Sequence, residues 1–443
     1  MPLKLYNTLS RKKEVFKPIS KVKINFFVCG PTVYDYSHLG HAKTYVQFDM
    51  IVKYLRFREY KVNYLQNITD IDDKIIKRAN ESGENWKKVS KEYEKFYKED
   101  MKALGIDSVR RYASATDHIK EIISQVRRLI KKGYAYKISD GWYFDLKKDK
   151  DYGKLAGRTS LGAEDSVSRI DENKGKRNPG DFCLWKFSKP GEPVWKAEIG
   201  DGRPGWHIED TAITEKEFGP QYDIHGGGID LIFPHHEAEI AQMESISGKK
   251  PMVRYWMHTD FLKMNKEKMS KSLGNFKTIR DLLKNHKKST IRYLFASTHY
   301  RKPIEFSEEA LENAKNSVER LKNLVSELKD DKKTNQKYLE EFQKEVDDDV
   351  NLPNGLAVLW TLLRDKDAKG KLKTVEKIDR VFCFDLLKRE KEGITKEVRK
   401  LVNQREKLRK QKNFLEADNI RHKINNLGFI IEDTEKGVVV KRK

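Results

Sequence analysis

Cysteine is scarce: the 443 residues hold three, Cys29, Cys183 and Cys383, odd in number and far apart. Such a set argues against a disulfide framework and for a reducing compartment. Long apolar runs are missing too, none approaching the roughly 18 residues of a membrane span, which excludes spanning helices. Met1-Pro2-Leu3-Lys4 begins no signal peptide, so a soluble, cytoplasmic protein without a membrane partner is expected. Acidic residues fall short of basic ones, 68 Asp+Glu against 90 Lys+Arg, for a net charge of +22. That imbalance favours a polyanionic partner through electrostatic steering and counterion release. The length exceeds what one compact core holds, and roughly two to four domains are expected.

Residues 24–29 read as a short buried strand, followed by a loop with Gly, Pro and Tyr and then a helical pattern over 41–58. A second strand over 62–67 leads into Asp70-Ile71-Asp72-Asp73-Lys74, where aspartates crowd the front of another helix and suit its dipole. This alternation predicts an α/β fold, a Rossmann-type parallel sheet with ligands at the carboxyl ends of its strands. From about 113 to 200 the pattern changes to a helix over 117–132, a hairpin-like stretch through 141–145 and a charged loop over 160–176, which reads as an insertion. The second half resumes with a strand at 222–225, a turn at Gly226-Gly227-Gly228 and a helix over 235–244. From Ser307 the chain is helical, with Val318, Leu321, Leu324 and Leu328 as a core stripe. Leu401, Leu408, Phe414, Ala417, Ile420, Ile424 and Leu427 sketch two amphipathic helices, with a small hairpin at 429–431 and 438–440 behind them. The chain ends in Lys441-Arg442-Lys443, a basic terminus that suggests a nucleic-acid contact.

Two short elements carry phosphate chemistry. The loop Gly30-Pro31-Thr32-Val33-Tyr34-Asp35-Tyr36-Ser37 delivers His38-Leu39-Gly40-His41 to a helix start, where unpaired backbone N–H groups favour anions. Gly40 lets a nucleotide pack closely. Far downstream, Lys268-Met269-Ser270-Lys271-Ser272 puts two lysines on a serine-spaced loop that Gly274 permits to move. Two imidazoles on one side and Lys268 and Lys271 on the other can meet charge that develops on phosphate oxygens. In this order in one chain, they point to activation with ATP.

A second cluster is metal-like. His235 and Glu239 stand four apart on a predicted helix and project from one face. Cys29 ends the first strand, and Asp210 follows Gly205-Trp206-His207-Ile208-Glu209. A thiolate, an imidazole and two carboxylates can complete a tetrahedral zinc shell. By spacing alone His236 and Glu237 are equally available, and Cys29 also reads as a small buried residue.

The chain resembles the cysteinyl-tRNA synthetases, a family of class I aminoacyl-tRNA synthetases. The resemblance runs over almost the whole length. It rests on Phe27-Val28-Cys29-Gly30-Pro31-Thr32-Val33-Tyr34-Asp35, His38-Leu39-Gly40-His41, Asn67-Ile68-Thr69-Asp70-Ile71-Asp72-Asp73-Lys74, Arg203-Pro204-Gly205-Trp206-His207-Ile208-Glu209, Asp223-Ile224-His225-Gly226-Gly227-Gly228, Phe233-Pro234-His235-His236-Glu237 and the lysine loop. It implies formation of cysteinyl-adenylate from ATP and L-cysteine, with Mg2+ accompanying ATP, and transfer of the cysteinyl group to tRNA(Cys). It also implies one zinc ion per chain, held by Cys29, Asp210, His235 and Glu239 and binding the substrate thiolate. Thr69, Trp206, His225 and Asp230 would shape the amino-acid pocket. A sulfur-preferring metal separates cysteine from serine, which an apolar pocket hardly does.

The expected architecture is a Rossmann catalytic domain (1–112 and 201–255) split by a connective insertion (113–200). A junction with the lysine loop (256–306), a helical domain (307–394) and a small α+β anticodon module (395–443) follow, in a chain expected to be a monomer. That tail argues against a cysteine:amino-sugar ligase on the same core. Intact His38, His41, Lys268 and Lys271 argue against a regulatory protein without catalysis. Two positions depart from the family pattern. Asp210 stands where many members have cysteine, a harder donor that predicts weaker zinc binding. Val440 stands where members often have a tryptophan for stacking on the anticodon, at a loss of roughly 1–3 kcal/mol.

Overall fold

A computed structural model describes residues 2–157, 175–264, 267–268, 277–388, 396–434 and 437–442. The chain divides into two compact units, Met1–Leu386 and Leu387–Lys443. Residues 160–174 of the expected charged loop and most of the lysine loop fall outside the described residues.

The first unit opens with a hairpin, β1 (Lys4–Asn7) and β2 (Lys12–Val15), and then β3 (Lys23–Val28) enters the main sheet. Helix α1 (Leu39–Phe57) returns the chain to β4 (Lys61–Ile68), and α2 (Asp73–Ser82) with α3 (Trp86–Ala103) leads to β5 (Arg111–Ser114). Next come α4 (Ile119–Lys131) and an antiparallel sheet of β6 (Ala135–Ile138), β7 (Gly141–Phe144), β8 (Cys183–Phe187) and β9 (Gly202–Pro204). Helix α5 (Ile208–Phe218), β10 (Tyr222–Gly228), α6 (Glu237–Ser247) and β11 (Val253–Thr259) complete the sheet. Its order is β11-β10-β3-β4-β5, parallel throughout, as the strand and helix alternation predicts.

Beyond it lie β12 (Leu262–Met264), β13 (Glu267–Lys268), α7 (Ile279–Asn285), α8 (Lys288–Ala296) and β14 (Ile304–Glu305). Helices α9 (Glu308–Ser326), α10 (Gln336–Val346), α11 (Leu352–Arg364) and α12 (Lys371–Phe382) follow. Val318 and Leu321 are buried on α9, and Leu324 and Leu328 pack at the edge of the same core, which is the expected stripe.

One expectation is corrected. Gly226, Gly227 and Gly228 do not turn; they extend β10 and pair with Met257, His258 and Thr259 of β11. A Cβ at Gly226 would sit 2.5 Å from the Phe48 ring of α1, and one at Gly227 2.7 Å from the His236 ring. Bare backbone thus lets a helix and a histidine close on a central strand.

The second unit holds α13 (Lys396–Lys410), α14 (Phe414–Asn426) and a hairpin of β15 (Phe429–Thr434) and β16 (Gly437–Arg442). Val398, Ile420, Ile424, Phe429 and Ile431 form its core, with Val440 packed against them. Buried Arg405 joins α13 to β15 by two bonds to the Asp433 carboxylate, at 2.9 and 2.8 Å. Phe414 and Leu427, read from sequence as part of the apolar stripe, are 58% and 42% exposed. They begin α14 and cap its end.

Candidate active site and metal centre

The carboxyl ends of β3, β4 and β10 lie side by side in the sheet. On one side of them, His38 caps α1 from an extended backbone (φ −108°, ψ 172°). Its Nδ1 accepts from the N–H of Gly40 at 3.1 Å and of His41 at 3.4 Å, while His41 Nδ1 accepts from the His38 N–H at 3.4 Å. This is a capping box made of histidines, with rings stacked at 3.8 Å. An Nδ1 that accepts places the ring proton on Nε2, at a helix start whose backbone N–H groups favour anions. His41 stacks on Tyr45, whose hydroxyl donates to the Cys29 carbonyl at 3.3 Å. The backbone of Lys268 lies in β13; its side chain, and all of Lys271, fall outside the described residues.

On the other side, three acidic donors face one nitrogen. His235 Nε2 lies 3.5 Å from Cys29 Sγ, 3.1 Å from Asp210 Oδ2 and 3.1 Å from Glu239 Oε1. All four residues are at most 5% exposed. Cys29 directly follows β3, Asp210 is in the first turn of α5, Glu239 is in α6, and His235 sits on the single turn before α6. Its other nitrogen, Nδ1, is 2.9 Å from His207 Nδ1, and Trp206 stacks on its ring at 4.3 Å. Glu237 accepts the backbone N–H groups of Leu155 and Ala156, and His236 Nδ1 meets His258 Nε2 at 2.8 Å.

These donors fit a zinc ion. Nε2 carries at most one hydrogen, which cannot serve three acceptors, and neither Glu239 oxygen makes a hydrogen bond. Burial first, then the Asp210 and Glu239 charges, push the Cys29 thiol well above its usual range. Burial and Asp210 push the Glu239 carboxyl up. A cation reverses both shifts. Tetrahedral donors about 2.0–2.3 Å from an ion stand roughly 3.3–3.8 Å apart, close to the spacing found. Cys29, Asp210 and His235 form one group of mutually close donors, while Glu239 falls in a second group with His225 and His236.

The expected amino-acid pocket is partly assembled around this centre. Thr69 Oγ1 donates to Glu209 Oε2 at 2.9 Å. His225 meets the Tyr222 hydroxyl through Nδ1 at 2.7 Å and stacks on Trp256. Asp230 is exposed, on the turn after β10. Sequence reasoning did not single out His207, His258 or Glu209 as members of the site, and it offered His236 only as an alternative metal ligand. Burial holds His207, His225 and His236 far below the usual imidazole range and His258 at about 3, so all four are neutral. The one signal for His207, Glu209 and His236 was their place inside motifs noted for neighbouring residues, and His258 lies in none of these.

The family description "tRNA synthetases class I (C) catalytic domain" matches residues 15–316. The chain is 43% identical to the cysteine–tRNA ligase of Thermococcus onnurineus (strain NA1), over 100% of this chain and 99% of that protein. It is 45% identical to the cysteine–tRNA ligase of Thermoplasma volcanium over 97% of each. The fold is similar to that of Mycobacterium tuberculosis methionyl-tRNA synthetase in complex with methionyl-adenylate, with a TM-score of 0.59 at 16% identity, covering 81% of this chain and 89% of that one. It is also similar to the ternary complex of Agrobacterium radiobacter K84 agnB2 LeuRS-tRNA-LeuAMS, with a TM-score of 0.61 at 10% identity over 84% and 85%. On full-length identity and the matched catalytic domain, this chain belongs to the cysteine–tRNA ligases of class I.

Proposed function

We propose that the chain activates L-cysteine with ATP and passes the cysteinyl group to tRNA(Cys), using the two sides of this pocket in turn. The observation that carries the reading is the convergence of Cys29, Asp210 and Glu239 on His235 Nε2. A pocket built from those donors selects a sulfur substrate through a metal. When bound there, zinc supplies Lewis-acid chemistry that holds a substrate sulfur as thiolate and disfavours the serine hydroxyl.

The remaining steps belong to the chain's own residues. Trp206 and His225 wall the amino-acid side, and Thr69, held by Glu209, presents a hydroxyl to it. The substrate carboxylate attacks the α-phosphorus of Mg2+-bound ATP, a P–O bond forms, and the bond to pyrophosphate breaks. His38 and His41 donate from Nε2 to phosphate oxygens as charge builds, and Lys268 and Lys271 meet the leaving pyrophosphate. A hydroxyl of the terminal adenosine of tRNA then attacks the activated carbonyl, and AMP departs. The second unit carries 17 basic against nine acidic residues over Leu387–Lys443, a surplus that suits tRNA phosphate. Among the described residues no helix is long and apolar enough to cross a membrane.

Two measurements test this. Purified protein should hold one zinc per chain by elemental analysis, and ATP–pyrophosphate exchange should depend on cysteine and ignore serine. Zinc-free protein that still separates cysteine from serine would show that selectivity has another origin.

A further inference from the structure

Helix α1 buries a lysine at a position that calls for a neutral residue. Lys43, two residues after His41, is 1% exposed. Its Nζ donates to the Asp260 carbonyl at 2.5 Å and lies 3.5 Å from the Tyr300 carbonyl. The Asp260 N–H donates to that same Tyr300 carbonyl at 2.9 Å. The ammonium therefore sits where the chain leaving β11 crosses the segment after α8. Thr44 repeats the link, its Oγ1 being 3.0 Å from Thr259 Oγ1. One turn further, Gln47 Nε2 donates to the Phe295 carbonyl at 3.1 Å. Burying a charge whose hydrogen-bond partners are carbonyls is costly, and a neutral amide does similar work one turn away. Such local costs are kept where a site needs them.

The path of the chain says what this junction holds. Asp260 leads into β12 and from there to the lysine loop. After that loop, the chain returns to the same helix start: Leu39 N–H donates to the Lys277 carbonyl at 3.2 Å, and Ile279 N–H to the Ser37 carbonyl at 2.9 Å. The exit is fastened by backbone pairs, the entry by Lys43 and Thr44.

We propose that Lys43 is a positioning residue, whose ammonium fixes Asp260 and the entry strand β12 against the helix start that carries His38 and His41. This deepens the proposed function and rests on its placement of ATP at that helix start. With Lys43 in place, both flanks of the lysine loop keep one distance from the histidine pair. Burial also lowers the Lys43 amine to about 7, so the clamp carries its charge below that pH and loses it above. The titratable groups on the surrounding elements are Asp260, His258, Lys263, His299, Tyr300 and Arg301. Of these, His258 is held neutral, burial lowers His299, Tyr300 and Arg301 bond to Asp349, and the Asp260 charge favours the protonated amine.

ATP–pyrophosphate exchange by the full-length protein tests it. Lys43→Met should lower kcat roughly 100-fold, the scale of a misplacement of about 1 Å, while KM for cysteine and zinc content stay unchanged. Lys43→Arg should restore most of that loss. Wild-type exchange should decline as pH rises through about 7, and Lys43→Arg should remove the decline. A wild-type protein without cysteine-dependent exchange overturns the proposed function itself. An active wild type whose kcat Lys43→Met leaves unchanged overturns only the role of Lys43. Where Lys43→Met does not fold, the pH profiles decide, and the same decline in wild type and Lys43→Arg overturns the inference.

Discussion

His38 and His41 are half-buried at a helix start, whereas His207, His225, His235, His236 and His258 are sealed behind the sheet edge at 5% exposure or less. In the proposed function each group meets a polar substrate, yet each is organised differently. The pair is held by its own backbone, through N–H groups of residues two and three positions away. The sealed group is held by neighbours remote in sequence: Cys29 and His235 touch across 206 positions. A site made locally tolerates water and keeps its geometry whenever the helix forms. One made of distant segments depends on the whole fold, and its charges stay compatible only through burial and a shared cation.

Breaking the sealed group should do the greatest damage. His235→Ala removes the nitrogen that Cys29, Asp210 and Glu239 share, and should abolish zinc retention and cysteine-dependent exchange together. Elemental analysis beside exchange assays checks it; retained zinc with normal exchange would refute the centre. At the other end, His38→Ala should cut exchange roughly 100- to 1000-fold, the loss typical of one donor to developing charge, and leave zinc content untouched. If zinc fell as well, the two ends would not be separable.

Acid should also tell the groups apart. His258 titrates at about 3 in the folded protein and near 6.5 when unfolded. The unfolded chain therefore takes up this proton first as pH falls. Stability present above about 6.5 is lost progressively toward the folded value. Thermal midpoints between pH 7 and 4 should drop, and His258→Asn should flatten the slope if it folds; an equal slope would assign the acid sensitivity elsewhere. The smallest effect sharpens the comparison. Asp210→Cys exchanges a hard oxygen for a soft thiolate and should slow zinc removal by a chelator with little change in exchange. Faster stripping would mean that Asp210 is not a ligand.

Legibility in the sequence followed the same division. The helix after His38, the parallel alternation and the His235–Glu239 spacing are periodic features, readable over a few residues. The glycine run of β10 was read as a turn because nothing nearby announces Phe48 and His236, the rings that demand a bare strand there. His258 and Glu209 carry no pattern of their own. Their roles come from Thr8 and His236 in one case and Thr69 in the other, partners that no local window contains.

The order of residues by itself determined the α/β alternation, the histidine cap at the front of α1, the basic tail and the presence of one thiol and one imidazole suited to zinc. Those follow from backbone periodicity, capping and composition, which act over a turn or two. Tertiary structure alone decided that Cys29, Asp210 and Glu239 meet at one nitrogen of His235. It also decided that Glu237 turns away to Leu155 and Ala156, and that Lys43 finds carbonyls instead of solvent. The physical reason is that burial and donor direction are properties of packed neighbours, and those neighbours are chosen by the sheet order β11-β10-β3-β4-β5 rather than by adjacency in the chain.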